Sequence, residues 1–281
     1  MTRLQQSLAG KSAIVTGGAR GLGESMSKAL ALAGASVVIA DINVETDTSW
    51  YKEFTGKVTI VKADVRSYDD AQMVIGMCIE RYGSMDILIN NAGILMREVR
   101  KRVATEGLVK FWDVDRDTFC WFLDVHVIGS FLMSKAAVQE MRKVGRGRII
   151  SVTTSFPTML GEGRTPYGPA KAAMEALAAV MARDLEGSGI TVNVVIPGRT
   201  TLSQSELRST DASVRRPDGR RLQPRNPPEI MGPPVVWLAS DQASHVHGLR
   251  ITCNKWNPRI DPLEAMKVAS TPIGWRDEMS E

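Results

Sequence analysis

Two side chains that can move a proton stand four positions apart in the segment TPYGPAK: the phenol of Tyr167 and the ammonium of Lys171. Residues at that spacing are neighbours on a helix surface, and most such pairs are solvated and have no function. Pro169 between them is compatible with the first turn of a helix, whose N–H groups have no intrahelical acceptor. A solvated surface pair is therefore the better interpretation until other residues indicate the same place.

The bulk composition is typical of a globular protein in water. The chain has 281 residues, of which 43% are apolar and 23% are charged. Cys78, Cys120 and Cys253 lie far apart and form no CxxC pair, so neither a disulfide framework nor a thiolate metal site is predicted. The first residues lack the apolar stretch of a signal peptide, and no run approaches the roughly 18 apolar residues of a membrane span. We therefore expect a cytoplasmic protein.

The elements that must position Tyr167 and Lys171 follow from an alternation of short β-branched runs with longer helical patterns. Strands are predicted at residues 12–16, 36–40, 57–63, 85–90, 147–153, 190–196 and 249–253. Their nearly continuous apolar character is typical of strands covered on both faces. The pattern predicts an α/β fold, a doubly wound parallel seven-stranded sheet of the Rossmann type in three α/β/α layers. No repeat or linker divides the chain, so residues 1–281 are predicted to form a single domain.

The first predicted strand runs into a glycine-rich turn, TGGARGLG, ahead of a helix. Glycine leaves the backbone amides open to a phosphate, and the helix N-terminus supplies unpaired N–H groups. The candidate residues of this turn are Gly17, Arg20, Gly21, Leu22 and Gly23. Asp41 ends the second predicted strand, where a carboxylate accepts hydrogen bonds from ribose hydroxyls and repels a 2′-phosphate. NAD is therefore favoured over NADP. Arg20 argues mildly for a 2′-phosphate, but a solvated loop residue is the preferred interpretation.

Further motifs follow in order along the chain: ADV with Asp64, NNAG at 90–93, SVTTS at 151–155, YGPAK at 167–171 and IPG at 196–198. With the glycine-rich turn and Asp41, they make the chain resemble a compact, single-domain short-chain dehydrogenase/reductase over about residues 8–253. Each motif is common alone, whereas the ordered set is specific. The resemblance implies an NAD cofactor that contacts the adenine, central and nicotinamide regions of the site through Asp64, Val65, Asn90, Asn91, Ala92, Gly93, Pro197 and Gly198.

The resemblance also implies a role for the Tyr167–Lys171 pair. In this family the tyrosine exchanges a proton with the substrate oxygen while a hydride moves between the substrate carbon and nicotinamide C4. A free phenol has a pKa of about 10, and a neighbouring ammonium together with the positive nicotinamide ring favours the phenolate. Lys171 is therefore expected to lower the pKa of Tyr167 and to hydrogen-bond the nicotinamide ribose.

Two positions depart from the family's usual catalytic set. Thr154 stands where a serine normally holds the substrate oxygen, and its hydroxyl has the same donor and acceptor capacity. Ser155 is the alternative if the register differs by one. His126 stands where an asparagine normally stabilises a helix kink and holds a relay water. The His126 ring can join the relay, since its pKa lies close to neutrality, or pack as a hydrogen-bonded core residue; a relay would give an unusual pH profile.

Positive charge is concentrated in two segments at the expected mouth of the site. A basic insert at 94–110 and a substrate lid at 199–229 each have a net charge of +3, against +4 for the whole chain. Such a mouth attracts anionic substrates and can clamp a carboxylate, although a charge run is usually a solvated face. Few aromatic residues accompany the charge, so nucleic acid is not a predicted partner. The C-terminal tail at 254–281 suits a subunit contact of a homodimer or homotetramer.

His245 and His247 have no nearby cysteine or carboxylate partner, so no metal site is predicted. The sequence thus predicts an NAD-dependent oxidoreductase that acts on a secondary alcohol or ketone, with a carboxylate-bearing small molecule as one candidate substrate. No membrane partner is predicted. The alternative is a catalytically weak NAD(H)-binding sensor or interaction protein, which the changed positions 126 and 154 support and the intact Tyr167–Lys171 pair opposes.

Overall fold

The computed structural model describes residues 6–45, 49–54, 56–102, 108–198 and 226–274. Most of the predicted lid, from residue 199 to 225, lies outside these ranges, as do residues 103–107 of the basic insert and 275–281 of the tail. Within the described ranges the strands are β1 (Ser12–Thr16), β2 (Ser36–Asp41), β3 (Val58–Lys62), β4 (Ile87–Asn90), β5 (Gly147–Val152), β6 (Ile190–Ile196), β7 (Leu249–Thr252) and β8 (Ser270–Pro272).

All these strands form one sheet in the order β3-β2-β1-β4-β5-β6-β7-β8. The first seven are parallel and confirm the predicted strands to within two residues at either end. The sheet has one strand more than the seven that the sequence predicts. The extra strand is β8, an antiparallel edge strand in which Ser270 lies opposite Ile251. Its residues, STP, form no apolar run and include a proline, which a sheet tolerates only at an edge.

Helices cover both faces of the sheet. They are α1 (Gly21–Leu32), α2 (Tyr68–Tyr82), α3 (Met96–Arg102), α4 (Arg116–Leu123), α5 (Gly129–Val144), α6 (Phe156–Met159), α7 (Tyr167–Asp184), α8 (Gly232–Ala239) and α9 (Pro262–Ala269). Alternate strand residues point to opposite faces. Ala13 and Val15 of β1 therefore join a core with α1 and α8, while Ile14 joins a second core with α2, α5 and α7. This arrangement confirms the three-layer prediction.

One long helical run, Arg116–Val144, joins α4 to α5 through a π-helical turn at Asp124–Ile128. Its most apolar 18-residue window has a mean hydropathy of 1.2 and is 44% buried. By length and composition alone, it is the one helix in the described part of the chain that could cross a membrane. The run packs against α2 and α7, and a helix that covers the core of an α/β protein passes the same test.

The strand order reverses direction between β1 and β4, which are neighbours in the sheet. Connections from the two strands leave toward opposite faces at that point, so a crevice opens beyond their carboxyl ends. Glycine-rich residues follow β1, and the NNAG motif begins at the last residue of β4. The fold therefore brings two of the predicted cofactor segments together at one edge of the sheet.

Candidate active site

The glycine-rich turn joins β1 to α1 with two residues in the left-handed region. Gly17 has φ 61° and Gly21 has φ 60°, which glycine adopts without a steric cost. A Cβ on Gly23 would lie 2.0 Å from the main-chain oxygen of Gly17, so only glycine fits at that position. Arg20 is exposed at the N-cap of α1, and Leu22 is buried in the first turn. The turn therefore exposes backbone at the N-terminus of a twelve-residue helix.

The NNAG motif supports this turn from the side. Asn91 donates from Nδ2 to the main-chain oxygens of Thr16 and Gly17, at 3.0 and 2.9 Å. In return the Thr16 hydroxyl accepts from the main-chain N–H groups of Asn91 and Ala92, both at 3.0 Å. Asn90 is buried and donates to the Ser134 hydroxyl on α5. These contacts hold the two predicted cofactor segments in a fixed relation.

Asp41 lies at the carboxyl end of β2, 5% exposed. Its Oδ2 accepts from the main-chain N–H of Ala19 in the glycine-rich turn at 3.1 Å, and its Oδ1 accepts from Asn43 at 3.0 Å. The structure thus brings the acidic residue against the turn, as the sequence predicts. A carboxylate fixed in this way can accept hydrogen bonds from ribose hydroxyls.

Asp64 has a partner that sequence reasoning missed. Arg66 donates to both carboxylate oxygens of Asp64, from Nε at 2.9 and 3.0 Å and from Nη2 at 2.5 Å. This side-chain hydrogen bonding from Arg66 lowers the pKa of Asp64 despite partial burial. The pair lines an open cavity of about 460 Å³ with Ser67, Asp124 and Ile128. Val65 is buried beside Gly129, where an added Cβ would lie 2.6 Å from the Val65 side chain.

Tyr167 and Lys171 lie in the first turns of α7, as predicted. Lys171 is 4% exposed, and its Nζ donates to the main-chain oxygen of Val152 at the end of β5, at 2.8 Å. Burial lowers the pKa of Lys171 to about 7. The solvated-pair interpretation is therefore wrong, because the lysine is enclosed at the carboxyl edge of the sheet.

Burial raises the pKa of Tyr167 to about 12, and a side-chain hydrogen bond with Thr154 and the charge of Arg164 counteract it. Lys171 is not among these influences. The predicted lowering of this pKa by Lys171 is therefore not seen in the free chain, where the phenol stays protonated at neutral pH.

Thr154 rather than Ser155 faces the phenol. The Thr154 side chain lies close enough to Tyr167 to lower the pKa of the phenol, whereas the Ser155 hydroxyl lies 3.0 Å from the Thr158 hydroxyl at the start of α6. Ser155 is the N-cap residue of that short helix. The two hydroxyls therefore have different surroundings, and that of Thr154 is on the side of Tyr167.

His126 lies in the π-helical turn and is 1% exposed. Its Nε2 lies 3.0 Å from the main-chain oxygen of Ile94 and 3.2 Å from the Ile94 nitrogen, so either tautomer has a partner there. Burial, followed by the charge of Lys171, holds the pKa of His126 well below its usual value. The ring stands edge-on to Tyr167 with centroids 5.7 Å apart. Nδ1 has no hydrogen-bond partner among the described residues.

Gly93 explains how the histidine fits. An added Cβ on Gly93 would lie 2.5 Å from His126 Cε1, so the imidazole occupies the space that this glycine leaves. The main-chain oxygen of His126 accepts from the Ser130 hydroxyl at 2.7 Å. These contacts are those of a packed, hydrogen-bonded residue, which is one of the two interpretations that the sequence allowed.

Pro197 and Gly198 follow β6 at the same edge of the sheet, where both are half-buried. Gly198 has φ 73°, and an added Cβ there would lie 2.4 Å from the Asn254 side chain. Position 198 thus requires glycine for two reasons: its φ lies in the left-handed region, and a side chain there would collide with Asn254.

A family model described as short chain dehydrogenase matches residues 11–212. The chain belongs to the short-chain dehydrogenase family. Oxidoreductase UcpA of Salmonella typhimurium is 31% identical over 86% of this chain and 92% of its own. Trans-4-hydroxycyclohexanecarboxylate dehydrogenase of Sinomonas cyclohexanicum is 31% identical, with 89% and 94% covered. L-rhamnose 1-dehydrogenase (NAD(P)(+)) of Azotobacter vinelandii is 30% identical, with 85% and 93% covered.

A short-chain dehydrogenase binds a nicotinamide dinucleotide, NAD or NADP, and acts on a small molecule. The residues of this chain fit that ligand. The turn at Gly17–Gly23 exposes backbone at a helix N-terminus, which suits a pyrophosphate. Asp41 lies beside the turn, where a ribose would lie, and Lys171 lies at the carboxyl end of β5, two strands from β1 at the same edge of the sheet.

The described part of the basic insert is largely paired within itself or with neighbours. Glu98 binds Arg97 and Lys101, and the ring of Trp121 lies 4.4 Å from the Arg102 guanidinium carbon. Lys110 forms an ion pair with Glu162, which precedes Tyr167 by five residues. The insert is therefore anchored beside the active site of this dehydrogenase, and it stays positively charged because Glu98 is shared by two cations.

Sequence reasoning also missed a buried ion pair between Glu175 on α7 and Arg250 on β7, with Oε1 and Nε 3.2 Å apart. Nothing local marks it, because the two residues are far apart in sequence. His247, in contrast, has both ring nitrogens bonded to main-chain groups of Val192 and Ala182. Within the described ranges, no three metal-binding side chains cluster.

Proposed function

We propose that this short-chain dehydrogenase transfers a hydride between NAD(H) and a secondary alcohol or ketone. The observation that carries the proposal is the convergence of Tyr167, Thr154 and Lys171 at the carboxyl end of β5, at the same edge of the sheet as the glycine-rich turn after β1. A proton donor, a hydrogen-bonding hydroxyl and a buried cation in one cleft are what a carbonyl oxygen needs when its carbon gains or loses a hydride.

NAD is the proposed cofactor because Asp41 is buried against the turn that would carry the adenosine ribose. A 2′-phosphate placed there would meet the carboxylate at close range in a poorly solvated site, and like charges in such a place are costly. Arg20 is exposed, as expected for a solvated loop residue. The buried Asp41 and the exposed Arg20 both support NAD over NADP.

The bound cofactor supplies the hydride acceptor or donor. Tyr167 gives its phenolic proton to the substrate oxygen during reduction and takes a proton back during oxidation. Thr154 holds the same oxygen by a hydrogen bond and thereby orients the reacting carbon. Lys171 stands one turn after Tyr167, so with the cofactor bound its amino group would hydrogen-bond the nicotinamide ribose, and in its protonated form it would favour the phenolate.

A carboxylate-bearing substrate is the proposed subclass. Arg164 is exposed three residues before Tyr167, and its charge lowers the pKa of that phenol, so its field reaches the reacting group. The Arg164 guanidinium can therefore bind a carboxylate on a substrate whose hydroxyl meets Tyr167. The relative from Sinomonas cyclohexanicum is named for a hydroxy acid, which supports the same choice.

The test begins with NADH titration of the protein by fluorescence, followed by a screen of secondary alcohols and hydroxy acids for NADH production from NAD. Tyr167→Phe removes only the reacting hydroxyl and is the matched variant. We expect NADH to bind both proteins and turnover to fall at least about 100-fold in the variant. Absence of NADH binding would contradict the proposal as a whole.

Tight NADH binding without Tyr167-dependent turnover of any alcohol would favour the sensor that the sequence left open. The raised pKa of Tyr167 supports that outcome, because it lies farther from neutrality than that of a free phenol and makes the residue a poorer acid–base catalyst. The substrate subclass has a separate test. Arg164→Gln should raise KM for hydroxy acids and leave neutral alcohols unchanged, and Arg183→Gln at the far end of α7 is the control. Equal use of both substrate classes by the unmodified protein would exclude the carboxylate.

A further inference from the structure

The buried ion pair Glu175–Arg250 lies directly behind the catalytic residues. Glu175 follows Lys171 by four residues and Tyr167 by eight, so all three occupy one face of α7. Glu175 is 0% exposed and Arg250 is 5% exposed. The helix that carries the acid and the lysine therefore also carries a buried carboxylate that points to β7.

Both members of the pair bind the loop that carries Thr154. Arg250 Nη2 donates to the main-chain oxygen of Thr154 at 2.6 Å. The Thr153 hydroxyl donates to Glu175 Oε2 at 3.0 Å. The Arg250 guanidinium carbon lies 3.8 Å from the centre of the Phe156 ring. Three of the four residues from 153 to 156 are thus fixed by this pair.

The geometry of the pair shows where its directional bonds go. Arg250 Nε and Glu175 Oε1 are within ion-pair distance, yet neither atom has a hydrogen-bond partner among the described residues. The aligned bonds of both side chains run to the loop instead. Burial raises the pKa of Glu175, and the charge of Arg250 and the Thr153 hydrogen bond oppose the shift.

A buried ion pair is a poor means of stabilising a fold, because well-packed apolar side chains of similar size do as well or better. We therefore look for a role of this pair other than stability. We infer that Glu175 and Arg250 are positioning residues that fix the loop from both of its sides and so hold the Thr154 hydroxyl on the side of Tyr167. The inference rests on the proposed function, since it assigns a purpose to the position of Thr154.

The first test is a double-mutant cycle in the substrate assay. Arg250→Met should lower kcat by about 10- to 100-fold, as expected for a misplaced catalytic group, with the Kd for NADH unchanged within about threefold. In a Thr154→Ala background the same change should cost less than about threefold, because the hydroxyl that Arg250 positions is gone. Losses that multiply in the double variant would overturn the inference.

Matched controls separate positioning from loss of stability. Arg148→Met removes another buried arginine, at the opposite end of β5 beside Asp241, and should keep kcat. Arg250→Lys keeps a cation beside Glu175 without the guanidinium fork, and Glu175→Gln with Arg250→Met removes both charges. Arg250→Lys and the double variant should each lower kcat. Full activity in either of these two proteins would contradict the inference, even if Arg250→Met alone does not fold.

The second test needs no turnover, so it stands even if the oxidoreductase proposal fails. Crystal structures of the unmodified protein and of Arg250→Lys would be compared. The distance from Thr154 Oγ1 to the Tyr167 hydroxyl should be longer in the variant than in the unmodified protein. An unchanged distance in a well-folded variant would overturn the positioning role, whereas a lengthened distance in a protein without alcohol turnover would refute only the proposed reaction.

Discussion

Lys171 Nζ donates to the main-chain oxygen of Val152 across 2.8 Å, which joins the start of α7 to the end of β5. The ammonium is enclosed there, and its pKa falls to about 7 because burial disfavours the charged form. In the unfolded chain a lysine takes up its proton near its ordinary value of 10.5. The folded state therefore binds fewer protons than the unfolded state between these two values.

The first prediction follows from this difference. Because the unfolded chain holds the extra proton, the free energy of unfolding should rise with pH from about 7 to 10.5, at up to about 1.4 kcal/mol per unit from this group. Lys171→Met removes the burial penalty, which is complete below pH 7. In urea denaturation, the free energy of unfolding of Lys171→Met minus that of the unmodified protein should be largest near pH 7 and should shrink as pH rises. A constant difference between pH 7 and 9.5 would contradict a depressed pKa.

The second prediction concerns His126, whose pKa lies well below 6.5. As pH falls through 6.5, the unfolded chain binds a proton that the folded chain refuses, so stability is lost on acidification. His126→Asn should lose less stability than the unmodified protein between pH 7.5 and 5. The pH profiles of kcat/KM should coincide between pH 6 and 8. If kcat/KM of the unmodified protein instead changes with pH near 6.5 and that change is absent from the variant, the imidazole takes part in a proton relay.

The third prediction tests cofactor choice at Asp41. Asp41→Asn removes the charge and keeps an oxygen that can accept from Ala19. The ratio of Kd for NADPH to Kd for NADH should fall about tenfold or more, because the repulsion of a 2′-phosphate is lost. Fluorescence titration with both cofactors measures the ratio. Asp117→Asn, in the exposed first turn of α4, is the control and should leave it unchanged. NADPH binding tighter than NADH in the unmodified protein would exclude the NAD assignment.

The fourth prediction compares two glycines in helices. A Cβ on Gly23 would lie 2.0 Å from Gly17 O, whereas one on Gly76 in α2 would meet nothing within 4 Å. Gly23→Ala should distort the turn and weaken NADH binding at least about tenfold. Gly76→Ala should raise the free energy of unfolding by about 0.5–1 kcal/mol and leave binding intact. Equal NADH affinity in both variants would show that the turn does not hold the cofactor.

Much of the fold was predictable because its signals are local. Seven parallel strands, the turn at Gly17–Gly23 and the carboxylate at Asp41 each follow from the residues of one segment and its neighbour. Apolar runs must be covered on both faces, and a glycine turn between a strand and a helix has few geometries. The spacing of Tyr167 and Lys171 likewise placed them on one helical face.

Other features depend on segments far apart in the chain. Arg250 reaches Thr154 across 96 positions, and His126 bonds Ile94 across 32. Neither contact leaves a local pattern, because a buried polar group takes whatever partner the packed elements bring within reach. Spacing along the chain sets which residues share an element; only the packing of α7, β5 and β7 settles which buried charges meet and whether an imidazole titrates.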